Sequence, residues 1–153
     1  MSPAGAFQHA LKLLSYRSRS RAELAERLLR KGFTKDSVDA ALQKLERLGY
    51  INDSALAAAL ERQARETRRL GRKGALGFLL KRGIPAGLAA SALAGYDESE
   101  GAAEVARKKL RAMKQAAPEA ARRRLYGALA RRGYSAETIR RVFSSIIEEE
   151  DAP

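Results

Sequence analysis

Leu28-Leu29-Arg30-Lys31-Gly32-Phe33 is the stretch on which the reading of this chain turns. It returns as Leu79-Leu80-Lys81-Arg82-Gly83-Ile84 and again as Leu129-Ala130-Arg131-Arg132-Gly133-Tyr134, so that the glycines stand 51 and 50 residues apart. A fixed period of this size is the mark of a repeat architecture. Each copy reads as the end of a helix. The glycine suits the left-handed position just past the last turn, and the apolar residue after it packs back on that turn. The two cations before it face the negative end of the helix dipole. Dipole complementation needs only one cation, so the pair exceeds what capping requires. The spacing therefore predicts both a helix stop and a display of charge once per repeat. Neutralising both cations of one copy is expected to cost little stability.

The period extends outward from the glycines. Eleven residues before them stand Arg21, Arg72 and Arg122; two after them stand Thr34, Pro85 and Ser135; ten after them stand Leu42, Leu93 and Phe143. Around this frame the apolar spacing is that of amphipathic helices. Phe7, Ala10, Leu11 and Leu14 mark the first. Ser20-Arg21-Ala22-Glu23 is a capping-box pattern opening the second, with Leu24, Leu28 and Leu29 on one face. Thr34 suits an N-cap for the third, striped by Val38, Ala41, Leu42, Leu45 and Leu48 and stopped by Gly49. Asn52 or Asp53 starts the fourth, with Leu56, Ala59, Leu60 and Ala64, running towards Leu70.

A fifth follows Gly71-Arg72-Lys73-Gly74, marked by Leu76, Leu79 and Leu80 and weakened by Gly74 and Gly77. Pro85 fits the first position of a sixth, whose face is Leu88, Ala89, Ala92 and Leu93. Asp97 to Glu100 opens a seventh, striped by Val105, Ala106, Leu110 and Met113. Pro118 starts an eighth around Leu125, Ala128 and Leu129. Ser135 caps a ninth with Ile139, Val142, Phe143, Ile146 and Ile147. No alternating pattern argues for a strand. The expected fold is all-α, with three tandem three-helix repeats. The boundaries fall at 1–52, 53–96 and 97–153, the last ending in acidic Glu148 to Asp151.

Composition narrows the function. The 153 residues carry 30 Lys and Arg against 18 Asp and Glu, a net charge of +12. The excess is spread over all three repeats, which points to a polyanionic partner rather than to a neutral domain with a basic tail. The absence of Cys excludes disulfides and thiolate zinc sites, and a single His leaves little for transition metals. Acidic residues such as Glu23, Asp53 and Glu104 read as caps or solvated faces, His9 lacks a catalytic partner pattern, and no phosphate-binding loop motif occurs. No apolar run approaches a membrane span. The expectation is a non-enzymatic, monomeric, cytoplasmic protein with no cofactor, no metal and no membrane partner. The candidates for binding are Arg21, Arg30, Lys31, Arg72, Lys73, Lys81, Arg82, Arg122, Arg131 and Arg132, because cations recurring at fixed positions suit a helical polyanion.

Ser20-Arg21-Ala22-Glu23-Leu24, then Leu28 to Phe33, then Gly49-Tyr50-Ile51-Asn52-Asp53, resembles the amino-terminal half of the RecX family of bacterial RecA regulators. Arg68 to Gly74, Leu80 to Ile84 and Arg131 to Ser135 resemble that family's later repeats. The resemblance runs from about Ala6 to Ile147. It departs at Ser54-Ala55-Leu56, where an arginine and a phenylalanine are usual, and at Gly77 and Ala86 to Ala94. The resemblance implies that the three-helix repeats form an elongated, curved array, and that the protein is a negative regulator that binds along the groove of the RecA–DNA filament and restrains ATP hydrolysis, strand exchange and coprotease activity. It implies RecA and single- or double-stranded DNA as partners. The alternative from the residues themselves is a direct DNA-binding protein built of helix-turn-helix-like units. A base-reading face of Asn, Gln or Arg is not evident in it.

Overall fold

A computed structural model describes the backbone of residues 2–150 and the side chains of residues 2–146. The side chains of Ile147 and of the acidic Glu148 to Asp151 lie outside the described residues. Among the described residues the fold is all-helical. In chain order the helices are α1 (Pro3–Tyr16), α2 (Arg21–Lys31), α3 (Lys35–Arg47), α4 (Asp53–Arg62), α5 (Arg72–Lys81), α6 (Ala86–Ala92), α7 (Ser99–Ala112), α8 (Pro118–Arg131) and α9 (Ala136–Glu150). A π-helical turn, Gln63–Thr67, continues α4.

The helix signals act as their chemistry demands. Ser20 accepts from the Glu23 amide while the Glu23 carboxylate accepts from the Ser20 amide, completing the capping box of α2. Thr34 caps α3 by accepting from the Ser37 amide, and Asn52 accepts from the Ala55 amide at the start of α4. Pro85 stands one position before α6, its carbonyl accepting from the Ala89 amide. Gly32, Gly83 and Gly133 have φ of 111°, 84° and 87°. Behind them the amides of Phe33, Ile84 and Tyr134 donate to the carbonyls of Leu28, Leu79 and Leu129 at 3.2, 3.1 and 3.2 Å. The three copies of the opening stretch thus end their helices with one hydrogen-bonding pattern, the Schellman closure.

The chain divides into two compact units, one of residues 1–60 and 79–92, the other of residues 61–78 and 93–153. In the first, α1 packs on α3 and α2. Its core is Phe7, Leu13, Leu24, Leu28, Val38, Leu42, Leu45 and Ile51. In the second, α7 packs on α8 and α9 around Val105, Leu125, Leu129, Tyr134, Ile139 and Val142.

Several stripe positions lie elsewhere than the periodicity suggests. Leu29, Leu48, Leu76 and Leu80 are exposed, at 48%, 56%, 37% and 44%. Ala59 is also exposed, and the buried side chains of α4 are Ala57 and Leu60. In α5 the buried positions are Ala75 and Leu79. Small residues are buried there because main chain, not side chain, presses against the start of this helix. A Cβ on Gly74 would lie 2.1 Å from the Arg132 carbonyl oxygen, and one on Gly71 would lie 2.3 Å from the Tyr134 nitrogen. Gly74, expected to weaken α5, is therefore what lets the C-terminal end of α8 approach it. Gly77 has open space around it. It carries the usual helix cost of about 1 kcal/mol with no packing return.

Candidate partner-binding surfaces

The candidate cations separate into two kinds. At the last position before each glycine, Arg82 and Arg132 are committed to joints between second helices. In the first unit, the Arg82 guanidinium donates to Glu23 Oε2 and to the Ser18 carbonyl, both at 3.1 Å. In the second, Arg132 Nη1 donates to the Arg68 carbonyl at 2.6 Å, and the Arg132 carbonyl accepts from the Gly71 amide at 2.9 Å. Both arginines reach 64 residues back, to the link that precedes the second helix of the preceding repeat. Their shared duty is a consequence of the period. The equivalent Lys31 is exposed and makes no such bond among the described residues.

Arg21 pairs with Glu46, and its amide donates to Asp53 Oδ1 at 3.0 Å. Arg72 donates to the Leu93 carbonyl at 3.1 Å, and its amide donates to Glu98 Oε2 at 2.7 Å. Arg30 pairs with Glu26 one turn away on the surface of α2, a contact worth little in water. Lys31, Lys73, Lys81, Arg122 and Arg131 are exposed and have no hydrogen-bond or ion-pair partner among the described residues.

The committed arginines carry a prediction. Arg82→Ala removes two hydrogen bonds from a side chain that is 20% exposed. It is expected to cost about 1–3 kcal/mol, because one bond goes to a carboxylate and Glu23 loses a partner. Lys81→Ala, one residue away, is expected to stay within about 0.5 kcal/mol of the parent. Urea titration of the two variants checks the contrast. Neutralising the whole pair is therefore expected to cost stability in the second and third copies, where Arg82 and Arg132 are bonded, and little in the first, where Arg30 and Lys31 are both exposed.

A second feature was not legible in the periodicity. In the second unit a cleft of about 760 Å³ opens between the π turn and α7. Arg68, Arg69, Lys108, Lys109 and Arg132 line it, against Glu66 and Glu104. The first two lie just after the π turn, on a segment tied down by hydrogen bonds to its carbonyls. Arg69 has φ 51°, a left-handed conformation unusual for a side chain of this size. The carbonyls of Arg68, Arg69 and Leu70 accept respectively from Arg132 Nη1, from the Tyr134 hydroxyl at 2.7 Å and from the Tyr96 hydroxyl at 2.7 Å. Burial pushes the Tyr96 hydroxyl up to about 12 and raises that of Tyr134 as well, so both remain donors through the physiological range. The Arg68 guanidinium sits over the Phe78 ring, 4.6 Å from its centroid, and Arg69 pairs with Glu104 at 2.9 Å. Lys108 and Lys109 are exposed and unpaired among the described residues. The only sequence signal for this cleft is the density of cations at 68–69 and 107–109, which the glycine-centred alignment passes over.

Comparison with known proteins fits the three-helix grouping. Residues 6–45 match the model of the first three-helix domain of RecX, and residues 96–143 match that of the third. The regulatory protein RecX of Chlorobaculum tepidum is 34% identical over 149 residues, covering 97% of this chain and 92% of that protein. The chain belongs to the RecX family. The RecX of Mycobacterium marinum is 37% identical over 129 residues, covering 82% of this chain and 75% of its own. Among solved structures, RecX from Lactobacillus salivarius superposes with a TM-score of 0.81 at 25% identity, over 94% of this chain and 95% of that one. RecX is a family of regulatory proteins by name, and none of the described helices is long and apolar enough to cross a membrane.

Proposed function

We propose that this protein is a negative regulator of RecA that binds along the RecA–DNA filament and restrains ATP hydrolysis, strand exchange and coprotease activity. Membership of the RecX family is the observation that carries this reading. The exposed Lys31, Lys73, Lys81, Arg122 and Arg131 support it, because they are cations with no carboxylate partner among the described residues. With the other five recurring cations they form the proposed contact set, presented on three repeats spanning 1–52, 53–96 and 97–153. The protein acts as a monomer that lies across neighbouring RecA protomers and resists the change of shape that turnover requires.

The test is ATP hydrolysis by RecA assembled on single-stranded DNA, with this protein added at near-equimolar ratio. Inhibition is expected, and Lys81→Glu combined with Arg131→Glu is expected to raise the half-inhibitory concentration about tenfold at unchanged melting temperature. Unaltered hydrolysis and strand exchange with the parent protein would overturn the proposal. Direct DNA binding as the whole function would instead give association with bare DNA that collapses steeply with salt and no added effect of RecA.

A further inference from the structure

The cleft between the π turn and α7 has a chemistry of its own. Protein-binding surfaces are depleted of charge at their centre and anchored by large apolar side chains. This cleft is the reverse. Its lining includes three arginines and two lysines, and the apolar part is limited to Leu70, Val105 and Ala112. Surfaces that follow a phosphodiester backbone have that composition.

The individual groups are arranged for an anion. Arg68 is steadied over Phe78 and makes no ion pair among the described residues, so its N–H donors are free. A guanidinium held in this way is suited to phosphate oxygens. Lys108 and Lys109 add two mobile point charges from α7. Glu104, one turn before Lys108 on the same helix, already places a carboxylate against Arg69 at 2.9 Å. That carboxylate occupies an anion position inside the cleft. The pinned carbonyls of residues 68–70 mean that the site need not be ordered when ligand arrives.

We infer that this cleft seats the phosphodiester backbone of single-stranded nucleic acid, with Arg68, Lys108 and Lys109 as its free cations and Glu104 as a built-in competitor for Arg69. The inference deepens the proposed filament function and rests on it for the biological occupant. Its test does not need RecA.

The experiment is fluorescence anisotropy of a short labelled oligothymidylate titrated with the full chain across a range of salt. Lys108→Gln with Lys109→Gln is expected to weaken binding about tenfold at low salt and to reduce the salt slope by about 1.4, two single-strand phosphate contacts. Lys12→Gln with Lys35→Gln, the same loss of charge at exposed positions of α1 and α3 in the other unit, is expected to change affinity less than about twofold. Glu104→Gln is expected to tighten binding several-fold, a gain that misfolding cannot produce.

Equal losses from the two lysine pairs would overturn the inference, as would Glu104→Gln leaving affinity unchanged. Displacement of the oligonucleotide by polyglutamate as readily as by polyphosphate would overturn it in favour of an acidic protein. RecA inhibition that survives while the cleft variants bind oligothymidylate normally would sink the cleft and leave the regulatory function standing. The converse pattern would do the opposite.

Discussion

Gly133→Ala is expected to lower the melting temperature by roughly 10 °C, the effect of about 3 kcal/mol in a chain of this length. Two costs add. Gly133 has φ 87°, a conformation that costs a residue with a Cβ about 1–2 kcal/mol. The new methyl carbon would also lie 2.1 Å from the Gly74 nitrogen and 2.6 Å from its Cα. These are main-chain atoms of α5 and cannot swing aside as a side chain does, so the joint itself must open. Gly49→Ala isolates the first cost, because Gly49 has φ 82° and nothing within 4 Å of an added Cβ. It is expected to lose about 1 kcal/mol. Gly77→Ala carries neither cost and is expected to gain about 0.5–1 kcal/mol from helix propensity. Thermal unfolding of the three variants side by side checks the order; a Gly133→Ala no worse than Gly49→Ala would show that the joint gives way freely.

Glu98→Ala is expected to destabilise the second unit by about 2–4 kcal/mol. One carboxylate there serves two helix starts. It accepts from the Arg72 amide at the head of α5, and from the Ser135 amide at 3.0 Å and hydroxyl at 2.7 Å at the head of α9. Helix starts present amides that have no partner within their own helix, and an anion satisfies both their hydrogen-bonding need and the dipole. Burial works against ionisation of Glu98, but hydrogen bonds from Thr138, the Arg72 amide and Ser135 outweigh it and hold its pKa below the usual 4.5. Glu23, which caps α2 and pairs with Arg17 and Arg82, is shifted the same way: burial opposes ionisation, and bonds from Ser20 and Arg82 prevail.

A carboxylate with a depressed folded-state pKa gives stability that is complete above its unfolded value and disappears as pH falls through the folded one. The protein is therefore expected to lose stability below about pH 4.5, taking up protons at Glu98 and Glu23 as it unfolds. Glu98→Gln is expected to be less stable than the parent at pH 7 and to converge on it as the pH falls below 4.5 through the lowered folded-state pKa. A difference that stays constant as the pH falls would remove Glu98 as the titrating group.

The fold was legible in the sequence wherever a local signal has a local cause. Ser20, Glu23, Thr34 and the three glycines act within one turn of helix, and each performs the function its residue type dictates. The stripes were less legible. Leu29, Leu76 and Leu80 occupy core spacing on their own helices, yet which face is covered depends on neighbours that a single helix does not specify. For the same reason the period identified Arg82 and Arg132 as recurring cations without revealing that they reach the preceding repeat. Arg68 and Arg69 acquire their setting from a π turn and a left-handed residue, neither of which has a compositional signature here. Tyr134, read from sequence as a packing residue, is indeed buried, and its hydroxyl holds the Arg69 carbonyl.

The closeness of Gly71, Gly74 and Gly133 bears on how far such a chain can diverge. Their contact is written largely in peptide groups, which every sequence possesses. A seam of that kind asks for the absence of side chains at a few points and leaves the flanking surfaces free to change. Homologues could then exchange most of their exterior while preserving the same architecture. The retention of this fold at one residue in four, as in the Lactobacillus salivarius structure, is what such a permissive seam would produce.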